Sequence, residues 1–185
     1  MTPNDLLTLD QRALRRVLEE GHPIDPRALD DTEYHGTALA MPAPIAAMTW
    51  TKFFKTFRRQ PLSDHLVGWN CAAIQNALDE PWIRKERGGK LVTYWHYRVV
   101  ETGDVHMPYN ARQGLLIDYG LGGNPPWDPT SYTRDPLVAV NPGSVDLLLG
   151  VSFVAIGPLA IHTPTFFSLQ RGKPLDYDAK SWRDG

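Results

Sequence analysis

The stretch KLVTYWHYRVVE, residues 90–101, sets three chemically capable groups two residues apart: Tyr94, His96 and Arg98. Side chains in a strand alternate between faces, so these three would share one side and Trp95, Tyr97 and Val99 the other. Turned into a lumen, the trio would bring an acid–base group and a fixed cation together. Hydrophobicity favours the opposite orientation, because burying an unpaired cation is costly. Either face carries aromatic rings. Asp118 and Tyr119 follow in LLIDYG. A carboxylate among apolar residues needs a partner or a raised pKa. Arg98 and Arg171 are the partners expected for Asp118, and a structural ion pair or turn role is favoured over acid–base work.

The well-known chemical motifs are missing. The chain has no G-x-x-x-x-G-K-[ST] phosphate loop, no G-x-S-x-G elbow and no H-E-x-x-H pair. Its six histidines lack paired metal spacing, so no metal site is expected, and Gly120, Gly122 and Gly123 make no dinucleotide fingerprint. No cofactor is called for. Cys71, the only cysteine, sits in the apolar run GWNCAAI and reads as a small buried hydrophobe. It rules out an internal disulfide and suggests a reducing, cytoplasmic setting. The start, MTPNDLLTLD, has no signal-peptide character, and the apolar run 147–161 is broken by Gly150, Gly157 and Pro158. A net charge of −2 argues against nucleic-acid binding, and integral membrane association is not expected.

These residues must be positioned by a chain of 185 residues, 42% of them hydrophobic, which suits one domain. Leu6, Leu7, Ala13, Leu14, Val17 and Leu18 recur at helical spacing, with Thr8 and Gln11 as a capping box and Gly21 as a stop. Asp25-Pro26 then starts a short helical turn. In TWTKFFKTFRR, residues 49–59, Trp50, Phe53, Phe54 and Phe57 fall at i, i+3, i+4 and i+7, opposite the basic residues. That period predicts an amphipathic helix, packed on a sheet or closing one end of a barrel. Strands are expected over 65–75, 90–101, 113–120, 146–157 and 163–172, with 120–136 as a long rim loop. Many strands with short connections point to an antiparallel barrel spanning residues 1–175, with a helical segment to about residue 60 and a tail over 176–185.

LDDTEYHGTALAMP, residues 29–42, resembles the opening of the GXWXG-type domain of uncharacterised bacterial lipocalin-like proteins. Tyr34 stands where that family has tryptophan and Gly36 matches its second glycine, while Thr32 and Glu33 fall where the first glycine belongs. WTKFFKTF, LLLG and TFFSLQRG are similar to its aromatic-and-lysine segment and its closing strand. The resemblance implies a lipocalin-like barrel and little about activity.

The leading expectation is therefore a mainly β protein, a lipocalin-like (calycin-type) antiparallel barrel that binds a small hydrophobic or aromatic molecule. Trp50, Phe54, Trp69, Trp95 and Tyr119 would wall the site, and Arg98 would orient a polar group. A second reading is a cofactor-independent isomerase or cyclase of a small hydrophobic metabolite, with Tyr94, His96 or Asp118 as acid or base. A third is an interaction module whose aromatic helix docks a partner or completes a homodimer.

Overall fold

A computed structural model describes residues 1–40, 51–103, 105–125 and 127–181. Eight strands close a barrel: β1 (Thr32–Leu39), β2 (Lys52–Arg59), β3 (Leu66–Ala72), β6 (Thr93–Glu101), β7 (Leu115–Asp118), β8 (Thr133–Ala139), β9 (Leu147–Ile156) and β10 (Leu159–Pro174). They run in the order β1-β10-β9-β8-β7-β6-β3-β2, every neighbour antiparallel. Two short strands, β4 (Glu86–Arg87) and β5 (Lys90–Leu91), pair outside the barrel across Gly88 and Gly89, whose positive φ suits a tight hairpin. The mainly β, lipocalin-like barrel class read from the sequence is the class observed.

The N-terminal leucines form two helices: α1 (Pro3–Leu7), capped by Thr2, and α2 (Gln11–Glu19), capped by Asp10 rather than by Thr8. Leu6, Leu14 and Leu18 pack on Leu116, Val138 and Leu149, which covers the outer face of β7, β8 and β9. Asp25 caps a 3-10 turn over Pro26–Leu29, as its sequence suggests. Leu29 and Ile24 join Tyr34, Phe57, Tyr97 and Leu137 in the barrel interior and so plug one end. Arg171 ties β10 to this plug through the Ala28 carbonyl, at 2.9 Å. No helix among the described residues is long and apolar enough to cross a membrane.

The segment 49–59 holds no helix over its described part: Lys52–Arg59 is β2, and β1 is a strand as well, so the helical segment ends near Leu29 and not near residue 60. The cause lies in burial on both faces. Phe53 and Phe57 face the lumen side with Lys55 between them. Phe54 faces outward, beneath Trp82 and beside Cys71. Aromatic residues on both sides of a doubly covered strand mimic helical spacing, which periodicity alone cannot distinguish. The basis for an aromatic helix that docks a partner disappears with it. Thr49 and Trp50 lie outside the described residues.

Candidate functional site

Strand alternation aims Phe53 and Lys55 from β2, Asn70 from β3 and Asp135 from β8 into the barrel. Tyr119, just past β7, and Phe167 from β10 complete the floor of a cavity of about 450 Å³ at the end opposite the plug. Tyr94 and Trp95 line its wall, and Trp95, 40% exposed, stands at the mouth. The rim is the first part of the loop expected over 120–136, since from Thr133 onward the chain is already β8. It is organised by 3-10 turns over Tyr119–Leu121 and Pro129–Tyr132, and Thr130 reaches the cavity. Asn124 pins this loop to the His96 backbone, accepting from its N–H at 2.9 Å and donating to its carbonyl at 2.7 Å.

The floor is polar and fully enclosed. Lys55 Nζ donates to Tyr119 Oη at 2.7 Å and to Asn70 Oδ1 at 3.2 Å. Tyr119 in turn donates to Asp135 Oδ2 at 2.9 Å, and that oxygen lies 3.7 Å from Lys55 Nζ. The ammonium also faces the rings of Tyr97, Tyr119 and Phe167, whose centroids lie 4.6, 5.1 and 5.3 Å away. Loss of water lowers the Lys55 pKa to about 8, although the carboxylate beside it opposes the shift. The same desolvation raises the Asp135 carboxyl, against the pull of Lys55 and of the neighbouring Ser152 and Tyr119 hydroxyls. Burial raises the Tyr119 and Tyr97 phenols well above their ordinary range, so both are neutral donors at physiological pH. Asp135 Oδ1 is the exception in this otherwise satisfied group: it is buried and no donor meets it in hydrogen-bond geometry, the Ser152 hydroxyl being the nearby group whose field it feels.

Of the residues the sequence singles out, three meet in this lumen: Tyr94, Trp95 and Tyr119. A bulge explains why Tyr94 joins Tyr97 inside. Between two paired positions β3 advances from Gly68 to Asn70 while β6 runs from Tyr97 back to Tyr94, one residue more, with Trp95 in the left-handed region at φ 49°. The proposed Tyr94-His96-Arg98 face is thereby broken, and His96 and Arg98 lie on the outer wall with Trp69. Trp69 is buried there, against Tyr177 and His96. Phe54 belongs to the outer cluster around Cys71. Asp118 also faces outward. It does form the expected ion pair, but its partner is Arg134, with Nε at 2.8 Å, and not Arg98 or Arg171. Cys71 is buried and its thiol is raised by desolvation, as for an inert hydrophobe.

The sequence pattern does not mark Lys55 and Asp135, the charged centre of the lumen. A helical reading of 49–59 sends Lys55 to solvent. Pro136 disguises β8, because a proline argues against a strand interior. The available signal is Lys55 and Asp135 set beside apolar residues in KFFKTF and RDPLVAV. Comparison of the chain with protein-family models, with curated proteins and with solved structures gave no match.

Proposed function

We propose that the barrel binds a small, mainly apolar aromatic molecule that presents one hydrogen-bond donor to Asp135. The observation that carries this reading is the unpartnered Asp135 Oδ1 at the floor of an aromatic-walled cavity. A buried acceptor left unsatisfied costs ~1–3 kcal/mol, and a hydroxyl or N–H on a ligand removes that cost. The volume of about 450 Å³ falls within the range of small-molecule sites. Phe53, Tyr94, Trp95 and Phe167 supply flat apolar walls, and the Lys55–Asp135 pair keeps the floor neutral overall, which favours an uncharged ligand.

The test compares 2-naphthol with 2-methoxynaphthalene, the same ring system without a donor. Titrated against tryptophan fluorescence, 2-naphthol should bind about tenfold tighter, and Asp135→Asn should erase the difference. Failure of both compounds to bind, or a preference unchanged in Asp135→Asn, would remove this reading.

A catalytic version rests on one further observation, the Lys55 pKa of about 8. An amine near neutrality that is hydrogen-bonded through Tyr119 to a carboxylate suits proton transfer on a bound metabolite. This moves the isomerase or cyclase reading from His96 and Asp118 to Lys55. Its mark is a pH–rate profile that changes in Lys55→Met and not in His96→Ala. The GXWXG-type resemblance belongs to the same proposal, for its fold alone. Gly36 on β1 leaves the space that the Phe53 ring occupies, since a Cβ there would meet the ring at 2.3 Å.

A further inference from the structure

Two buried N–H groups share one groove and neither has an acceptor. The groove, about 210 Å³, lies on the outer wall over β3 and β6, between the 121–123 turn and residues Ala179 and Ser181. Trp69 and Arg98 line it, and Trp69 Nε1 and Arg98 Nε make no hydrogen bond. Buried polar groups in folded proteins are nearly all paired, so two orphans in one small space call for a ligand. Both orphans are donors and neither can accept.

The strand register accounts for the arginine. Arg98 is the Cα partner of Asp118 across β6 and β7. Asp118 is already engaged, with Arg134 Nε at 2.8 Å on one oxygen and the Gly120 N–H at 2.8 Å on the other. Among the described residues Arg98 has no ion pair, and none of those lining the groove is an aspartate or glutamate. The guanidinium offers a planar fork matched to a carboxylate. Trp69, Val67 and Leu121 supply apolar surface around it.

We propose that this groove is a second binding site, independent of the lumen, for a small organic carboxylate. The carboxylate accepts from Arg98 Nε and Trp69 Nε1, and its hydrocarbon part lies against Trp69 and Leu121. A carboxylate fits better than a phosphate because Arg98 is the one arginine among the described residues that line the space, and a dianion would remain under-neutralised.

Benzoate is the probe, and the readout is the Trp69 indole N–H in a ¹⁵N-labelled sample, assigned by its loss in Trp69→Phe. Benzoate should shift this resonance saturably, and Arg98→Gln should weaken the affinity at least tenfold. Arg98→Lys, which keeps the charge without the fork, should recover only part of it. Saturating 2-naphthol should not displace the benzoate. A resonance that does not respond to millimolar benzoate overturns the site. Equal affinity in the wild type and Arg98→Gln does the same. Tighter binding of inorganic phosphate at the same resonance overturns the carboxylate assignment. If Arg98→Gln proves unfolded by circular dichroism, the wild-type titration and the Arg98→Lys comparison still decide.

Discussion

Asp135→Asn is the substitution that tests the charged floor of the lumen. It preserves shape and leaves Tyr119 an acceptor, but removes the counter-ion of Lys55. At the observed 3.7 Å the attraction is ~4.5 kcal/mol for an effective dielectric constant of about 20. The cost is smaller, because Lys55 can shed its proton. With a folded pKa of about 8, neutralising it at pH 7 costs about one unit, on the order of 1 kcal/mol. That escape route caps the loss at pH 7 well below the Coulomb figure. The cap roughly doubles at pH 6, and near pH 9 it vanishes, because the wild-type lysine is then neutral too. The sign follows from linkage. A lysine whose pKa is depressed on folding destabilises the folded state while the unfolded chain holds the proton. Both proteins therefore gain stability as pH rises toward 10.5, the unfolded value. The variant, with a still lower folded pKa, starts that gain at lower pH, so the gap closes. Urea unfolding of both proteins at pH 6, 7 and 9, followed by tryptophan fluorescence, measures it. A gap that stays flat from pH 6 to 9, or no gap at pH 6, refutes an ionised Lys55–Asp135 pair.

Four further substitutions separate floor, wall and shell. Tyr119→Phe removes the hydroxyl bridging Lys55 and Asp135 and should cost ~1–3 kcal/mol, read from the urea midpoint. Gly68→Ala should cost ~1–3 kcal/mol in the same assay, because a Cβ there meets the Thr56 carbonyl oxygen at 2.0 Å and the Tyr97 ring at 2.5 Å. Trp69→Ala deletes a ring that is only 3% exposed and should cost ~3–5 kcal/mol while leaving 2-naphthol affinity unchanged, since the ring lies outside the lumen. Trp95→Gly relieves a left-handed backbone worth ~1–2 kcal/mol and removes a wall of the cavity, so it should lower 2-naphthol affinity without lowering the unfolding midpoint in proportion.

Most of the barrel was legible because its strands carry their own signals. LLIDYG and DLLLGVSFVAIG are apolar runs bounded by turn residues, and Gly88-Gly89 marks a hairpin. β1, β2 and β8 break those rules for local reasons. β1 is mixed in polarity because Glu33 on it is buried against Arg84, with Nε at 2.9 Å from the carboxylate. β8 carries Pro136 together with Asp135, a carboxylate that belongs to the lumen. β2 is covered on its outer side by the 76–82 segment. Lys52 donates there to Asn76, to the Ala77 carbonyl and to the Glu80 carbonyl, so a lysine read as solvated is fully buried. Each case depends on a contact with a distant segment, which local spacing does not record.

The site was harder to read than the fold because inside and outside are assigned by counting residues along a strand, and a bulge changes the count. Up to Tyr97 the alternation on β6 holds: Val99 and Tyr97 face inward and Arg98 outward. One extra residue at Trp95 then reverses the parity, so that Tyr94, two residues from His96, lies in the lumen while His96 does not. A group defined by two-residue spacing is thus divided between two sites. The aromatic half lines the cavity above Lys55 and Asp135, and the cationic half meets Trp69 in the outer groove. The positive φ at Trp95 is the local cost of that division, and it delivers a tyrosine to the wall and a tryptophan to the mouth from adjacent positions. A regular strand could not place neighbours on the same cavity, because successive side chains point to opposite faces.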